Sequence, residues 1–403
     1  MPPHSAATRV ASRRQAGAPS PGEPGERLFF LDWLRVAAFV ALVCYHVGMY
    51  YVTWDFHVKS PYASRALEPW MRLTEPWRMS LLFMVSGAAT ALMLKGGASV
   101  ALMRSRSRYL FLPLVCGMVL VVPPQAYFQV VQKFSYAGDY LDFLGLYFRG
   151  YKGFCQAGRC VALPTWNHLW FLPYLWVYTL LLWGAVRLWP GTLPALGRAA
   201  TRWLNGPLLM LLPIAWLLLG RLTLADRFPQ TYALRGDWFR HALYFSVFLT
   251  GAACAAAPVM WERLARWRWP ALWAALLLWA VLVGVRPGRP WEHAVIASLQ
   301  WCALTAAFGF ARQGLNRDHP WRQELTEAVF PIYLLHQTLI ITLSQWLLPL
   351  DWKPALEGPV LVLATLALSY AGYRLVRPWP WVRPWFGLRP LPQPMPQPQT
   401  PAR

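Results

Sequence analysis

Long apolar stretches dominate this chain and set its architecture. A transmembrane helix needs about 20 residues to cross the roughly 30 Å of hydrocarbon in a bilayer. Ten stretches approach that length, several of them interrupted by Pro or Arg, and they lie at about 33–54, 77–94, 109–131, 169–189, 206–224, 239–258, 270–286, 293–311, 328–349 and 359–376. The pattern predicts an all-α, polytopic integral membrane protein with a bundle of about ten transmembrane helices.

Composition agrees with this interpretation, and the charges orient it. The 403 residues are 57% hydrophobic and 14% charged, whereas soluble domains carry about 25% charged residues. With a cytoplasmic N-terminus, 22 of the 38 Lys and Arg residues fall on the cytoplasmic side. The positive-inside rule therefore predicts that both termini are cytoplasmic. It also explains the net charge of +21 through contacts with membrane lipids, without a nucleic-acid partner.

The two ends differ from the middle. Residues 1–26 are rich in Pro, Ala, Ser and Arg, and residues 388–403 are rich in Pro and Gln. Both compositions are typical of disorder, and we expect no chemistry there. Residues 27–387 are expected to form a single transmembrane domain. In its longest outside loop, Cys155 and Cys160 could form a disulfide, which the sequence leaves open.

The first apolar stretch keeps three polar side chains, Asp32, Arg35 and His46. Arg35 and His46 are 11 positions apart, so they lie on one stripe of a helix and ~16 Å apart along its axis. This places His46 near the bilayer midplane, where it could hydrogen-bond another helix or act as a general base. Asp32 is three residues before Arg35, and the two could pair as an interfacial anchor or serve a site.

Further polar residues mark other stretches. Arg78 begins the second stretch, Ser86-Gly87 interrupts it, and Arg104, Arg106 and Arg108 precede the third. Three guanidinium groups could bind the phosphates of a ligand or of lipids. Pro123-Pro124 should break the third helix and free backbone groups that need partners.

Imidazoles recur deeper in the chain. His168 enters the fourth stretch, and His336-Gln337 lies in the middle of the ninth. One buried histidine could be structural, but charged or polar residues on four membrane segments favour a functional site.

The order of these motifs resembles that of the acyltransferase 3 family, membrane O-acyltransferases that decorate surface glycans. The resemblance covers residues 27–389 and is carried by DWLR and His46 on helix 1, FMVSG on helix 2, Arg104-x3-Arg108-x4-Pro113, HLWFL at 168–172 and PIYLLHQ at 331–337. The segments RYLFLP, VPPQAYF and VRPWFGLRP look most like the glucan biosynthesis protein C branch.

The resemblance implies roles for particular residues. The family's Arg-x10-His pair falls on Arg35 and His46, which implies that both are catalytic residues. Its basic motif falls on Arg104 and Arg108, which would contact acyl-CoA at the cytoplasmic face. Other residues expected at the substrate are Asp32, Arg78, Ser86, His168, Trp170, Tyr333, His336 and Gln337.

The expected activity is transfer of an acetyl or succinyl group from cytoplasmic acyl-CoA to a hydroxyl of an extracytoplasmic glycan, in a bacterial inner membrane. We expect no metal and no resident cofactor, because acyl-CoA is a co-substrate. The main alternative is a proton-coupled transporter that uses His46 and His336 as a relay. A third is a lipid-binding scaffold without catalysis.

Overall fold

The computed structural model describes residues 28–156 and 159–391. Within these residues the chain forms α-helices at α1 Phe29–Tyr51, α2 Glu68–Thr74, α3 Arg78–Leu94, α4 Val100–Cys116, α5 Pro123–Phe134, α6 Tyr140–Arg149, α7 Phe171–Leu188, α8 Thr192–Trp203, α9 Leu208–Leu224, α10 Trp238–Ala256, α11 Val259–Gly284, α12 Trp291–Gly314, α13 Pro320–Leu347 and α14 Pro354–Val376. The all-α prediction is confirmed.

Short irregular turns and one hairpin complete the described chain. A π-helical turn, Gly117–Val121, joins α4 to α5, and 3₁₀ turns lie at Arg65–Leu67, Asn167–Trp170, Leu348–Leu350 and Arg383–Phe386. The strands β1 Cys155–Gln156 and β2 Arg159–Cys160 pair antiparallel, and a disulfide joins Cys155 to Cys160. The disulfide that the sequence left open is therefore present in the structure.

Each of the ten predicted stretches coincides with a helix. In the described chain, seven helical segments are long and apolar enough to cross a membrane, and two bent helix pairs raise the number to nine. The pairs are α4–α5, bent by 44°, and α8–α9, bent by 108°. The remaining stretch is α10, whose hydropathy is lowered by Arg240 and His241 in its first turn. The number ten and the cytoplasmic termini therefore stay predictions.

The outer faces of the helices are apolar and the core lies between them. Helix α9, for example, exposes Leu211, Trp216 and Leu219 while it buries Leu209 and Leu217. A helix that is hydrophobic on every face is typical of a membrane span. The largest buried cluster joins α1, α3, α4 and every helix from α7 to α13. The expected disorder of residues 1–26 and of residues after 391 lies outside the described residues.

Glycine allows α3 and α10 to pack at close range. A Cβ on Gly87 would lie 1.8 Å from the carbonyl oxygen of Phe248, and one on Gly251 would lie 1.9 Å from that of Met84. No side chain fits at such distances, so the two backbones touch through small residues, as membrane helices often do. Within the Ser86-Gly87 interruption of α3, Gly87 therefore serves the packing of α3 against α10.

We expect Gly87→Val to lower the free energy of unfolding by about 3 kcal/mol, since overpacking at a backbone contact forces the helices apart. Thermal unfolding of the protein in detergent measures this. The matched change Gly220→Val, in α9 with nothing within 4 Å of its added Cβ, should have a much smaller effect. Equal effects would contradict the close-packing interpretation.

Candidate active site

A pair of hydrogen-bonded imidazoles lies where α1 meets α13. The Nδ1 of His46 is 2.8 Å from the Nε2 of His336, and the two rings stack with centroids 5.0 Å apart. His336 is fully buried, whereas His46 is half-buried. The Nδ1 of His336 lies 2.6 Å from the carbonyl oxygen of Tyr333, one turn earlier on the same helix.

The Tyr333 carbonyl fixes the tautomers of both rings when they are neutral. A carbonyl oxygen only accepts, so the Nδ1 of His336 must carry the proton and its Nε2 must accept. The Nδ1 of His46 then donates to that Nε2. The Nε2 of His46 is left unprotonated, with its lone pair available to accept a proton. This is the form that a general base requires.

The third imidazole, His168, adjoins the pair and is anchored by α13. Its ring lies edge-to-face against His336 with centroids 5.0 Å apart. Its Nε2 donates to the carbonyl oxygen of Leu334 at 3.1 Å, and the hydroxyl of Tyr333 donates to the carbonyl oxygen of His168 at 2.8 Å. The structure thus brings together His46, His168, Tyr333 and His336 as the sequence predicted.

One buried amide, Gln125 on α5, connects this cluster. Its Nε2 donates to the Nδ1 of His168 at 3.3 Å and to the hydroxyl of Thr338 at 2.6 Å. Its Oε1 accepts from Asn167 at 3.2 Å and from Gln337 at 3.0 Å. All four hydrogen-bonding positions of the amide are filled, and such complete networks are rigid in an apolar interior.

The break between α4 and α5 supplies partners to the same region. The two prolines remove N–H donors, which leaves upstream carbonyl oxygens without helical partners. The hydroxyl of Thr338 donates to the carbonyl oxygen of Val121 at 2.5 Å, and that of Tyr147 to Met118 at 2.8 Å. The predicted helix break is present, and protein side chains satisfy these freed backbone groups.

The loop after α1 folds back over His46. The ring of Phe56 stacks on His46 at 6.1 Å, and the Nδ1 of His57 is 2.8 Å from the Oε1 of Gln129. Burial lowers the pKa of His57, which keeps this ring neutral at pH 7. Lys59 donates to the carbonyl oxygens of Met49 and Val52 at the end of α1, and burial lowers its pKa to about 8.

A cavity of about 1060 Å³ opens at the end of the bundle that carries Arg35. Its walls come from the N-terminal half of α1, the C-terminal half of α3, and parts of α4, α7 and α13. Of the described residues that line it, five are arginines and none is acidic; the arginines are Arg35, Arg104, Arg106, Arg108 and Arg389. Ser86 also lines it, so four of the predicted substrate-contacting residues meet here.

Arg35 is free to act in this cavity. It forms no ion pair in the described chain. Its charge repels that of Arg106, a half-buried residue whose Nε has no hydrogen-bond partner. Guanidinium groups that lack carboxylate partners attract anions. The arginine-lined end of the cavity is therefore suited to phosphates, and its apolar part is suited to an uncharged chain.

Two aromatic rings form the inner end of the cavity. Phe39 and Tyr333 both line it, with ring centroids 5.5 Å apart. Tyr333 also stacks against His336 at 6.0 Å. His46 and His336 are not among the lining residues, so one layer of rings separates the cavity from the imidazole pair.

The comparison with known families identifies the chain. The acyltransferase domain model of the acyltransferase 3 family matches residues 28–374. The chain belongs to this family. It is therefore an acyltransferase, and its apolar helices make it a multi-pass membrane protein. No curated protein and no solved structure matches it.

The pairing expected between Asp32 and Arg35 is wrong. In this acyltransferase, the Oδ2 of Asp32 lies 2.6 Å from the Nη1 of Arg322, and Arg322 also binds Asp318 at 2.7 Å. Asp32 therefore ties α1 to the start of α13 and does not line the cavity. Arg35 on the same helix and the buried Arg322 on another helix are alternative partners for Asp32, and Asp32 pairs with Arg322.

Arg78 and Trp170, also expected at the substrate, lie away from the cavity. The guanidinium carbon of Arg78 is 3.3 Å from the ring centroid of Tyr45, the residue before His46. Trp170 packs against Tyr232 and Tyr244, with centroids 5.3 and 5.7 Å apart. Both therefore belong to the end of the bundle opposite Arg35.

The C-terminal segment contributes a wall that the sequence did not suggest. Leu388, Arg389 and Pro390 line the cavity, although residues 388–403 were expected to carry no chemistry. Arg383 holds this segment, because it donates to the carbonyl oxygen of Arg389 and to Glu327 on α13, both at 2.6 Å. Arg389, a basic residue in a proline-rich segment, was the sequence feature that could have indicated this wall.

Three other contributors were also missed. Asn167 and Thr338 are ordinary residues in their motifs, and only the fold brings them to Gln125. His57 lies in a loop, where its burial could not be foreseen. In the described chain, no group of three or more His, Cys, Asp or Glu residues is placed to hold a metal ion.

We expect Gln125→Met to lower the free energy of unfolding by about 3 kcal/mol, because it removes the partner of several buried polar groups at once. Chemical denaturation in detergent measures this. Gln345→Met on α13 is the control, since within the described residues that amide bonds only the neighbouring Ser344, at 3.4 Å. A similar cost at both positions would show that the Gln125 network contributes no special stability.

Proposed function

We propose that this protein is an O-acyltransferase that moves an acetyl or succinyl group from acyl-CoA to a hydroxyl of an extracytoplasmic glycan, such as a periplasmic glucan. The protein would lie in a bacterial inner membrane, with both termini in the cytoplasm. The observation that carries the proposal is a cavity whose described lining includes five arginines and no acidic residue, and which ends one ring away from the His46–His336 pair.

The cavity fits the donor in charge and in shape. Acyl-CoA has phosphates at one end and a long, largely uncharged arm that ends in the thioester. The phosphates would bind the arginines, and the arm would follow the apolar wall of α3 and α7 inward. A volume of about 1060 Å³ is at the upper end of ordinary ligand sites, as a cofactor-sized ligand needs.

The rings at the inner end would have to move. Phe39 and Tyr333 lie between the cavity and His46, so we propose that they rotate aside when the donor arm arrives. Arg35, ~16 Å from His46 along α1, then binds the donor and does not take part in the bond changes.

His46 would act as the base. Its Nε2 would take the proton of the acceptor hydroxyl while that oxygen attacks the thioester carbonyl carbon. The carbon–sulfur bond breaks, and the CoA thiolate leaves with the proton that His46 has taken. His336 positions the ring and stabilises its charge. In the alternative route, the Nε2 of His46 attacks the thioester carbonyl carbon and CoA leaves as the thiolate. The acceptor hydroxyl then attacks the acyl-imidazole, the carbon–nitrogen bond breaks, and the hydroxyl proton passes to the thiolate.

We expect His46→Ala to lower kcat for acyl transfer by about 10²- to 10⁴-fold, the usual contribution of a general base. The assay supplies purified protein with acetyl- or succinyl-CoA and an oligosaccharide, and follows CoA release together with the mass of the glycan. Cys44→Ala, two residues away and exposed, should keep full activity. A folded His46→Ala protein with unchanged kcat would refute the assignment.

The arginines should control donor binding. We expect Arg35→Gln and Arg108→Gln each to raise the KM for acyl-CoA about tenfold with a smaller change in kcat, since each removes charged hydrogen bonds to the donor. The KM of the wild-type enzyme should also rise with salt. Arg198→Gln on α8, an exposed arginine outside the cavity, should leave KM unchanged. Unaltered KM in all variants would remove the arginines from the donor site.

A further inference from the structure

A second cluster of arginines lies at the end of the bundle opposite the cavity. Arg78 begins α3, Arg221 is in the last turn of α9, and Arg240 is in the first turn of α10. None of the three forms an ion pair in the described chain. Four of their guanidinium nitrogens, Nε and Nη1 of Arg78 and Nε of Arg221 and Arg240, are buried without a hydrogen-bond partner. Buried cationic donors of this kind call for an explanation.

Neutral groups hold these side chains in place. Arg221 donates to the Oε1 of Gln300 at 2.8 Å, and Gln300 donates in turn to Ser80 at 2.8 Å. Arg240 donates to Gln230 and to the hydroxyl of Tyr244. Both guanidinium carbons lie near the ring of Phe239, at 5.8 and 5.4 Å from its centroid. The geometry is fixed, but the charge is not neutralised.

Three carboxylates act on the cluster from a distance. Glu75 is exposed, Glu292 pairs with Arg72 at 3.6 Å, and Asp237 accepts a hydrogen bond from Tyr174 at 2.8 Å. Their negative charges attract Arg221 or Arg240 without direct contact, whereas those two arginines repel each other. Folding has therefore gathered three cations without giving any of them a carboxylate contact.

The cluster adjoins both the reacting region and an aromatic surface. Arg78 lies over Tyr45, the neighbour of His46, so an anion held there would be close to the imidazole pair. Tyr232, whose charge interactions include Arg78 and Arg240, is exposed and packs on Trp170. Aromatic faces beside guanidinium groups suit a sugar that carries a negative charge.

We propose that Arg78, Arg221 and Arg240 bind an anionic group, a carboxylate or a phosphate, carried by the acyl acceptor. The inference rests on the proposed function in one respect, namely that the acceptor approaches His46 from this end. It adds a substrate class: the acceptor is an acidic glycan, whose charged substituent binds the arginines while its hydroxyl is acylated.

Binding of a simple acid tests the site without any turnover. The probes are glucuronate and glucose, added at constant ionic strength to lipid-free protein in neutral detergent, and the readout is the midpoint of thermal unfolding. We expect glucuronate to raise the midpoint and glucose to have no effect. Arg78→Gln and Arg240→Gln should each weaken the apparent Kd for glucuronate about tenfold or more.

Two arginines serve as matched controls. Arg227→Gln, in the exposed loop between α9 and α10, and Arg108→Gln, in the donor cavity, should keep the glucuronate response. A response that survives Arg240→Gln, or that Arg108→Gln abolishes, overturns the proposal.

Two further measurements separate this proposal from the alternative explanations. His46→Ala should lose acyl transfer and keep glucuronate binding, so failure of the catalytic assignment and failure of the anion site give different results. Phosphatidylglycerol is the competing source of an anion. If mixed micelles of phosphatidylglycerol and the detergent remove the effect of glucuronate on the unfolding midpoint, the cluster is a lipid site and the acceptor proposal is wrong.

Discussion

The structure depends on one constraint, that every polar group inside an apolar bundle needs a partner from the protein itself. The His46–His336 hydrogen bond satisfies it, because the Nδ1–H of His336 donates to the carbonyl oxygen of Tyr333 and so sets the direction of the bond between the rings. The direction has a chemical consequence. It leaves the outer nitrogen of His46 basic, so the same contact that allows the rings to be buried also prepares one of them for proton transfer.

The positions of charge follow from the antiparallel course of α1 and α3. The start of α1 and the end of α3 meet at the arginine-lined cavity, while the start of α3 brings Arg78 to the deep half of α1 beside Tyr45. Two cationic regions thus lie at opposite ends, with the imidazoles between them. Under the proposed function, the donor would bind at one of these ends and the acceptor would approach from the other.

Much of this was predictable from the sequence, and the rest was not, for physical reasons. Helices were predictable because their apolar length is imposed by the bilayer. That His46, His168 and His336 need polar partners was also predictable, because imidazoles are costly there. Partners across helices were not. The Asp32–Arg322 pair joins residues 290 positions apart, and local spacing suggested Arg35 instead. Gln125, Arg221, Arg240 and Arg389 acquire their roles only from neighbours that the fold brings to them.

The two arginine clusters also imply a cost that argues for function. Guanidinium groups gathered without carboxylates repel each other, and burial of their N–H groups without partners destabilises the folded state further. A structural role would be served better by ion pairs, such as those that Arg322 and Arg383 make elsewhere in the same chain. At Arg78, Arg221 and Arg240 a bound anion would supply the partners that four buried N–H groups lack, and this supports the proposed anion site.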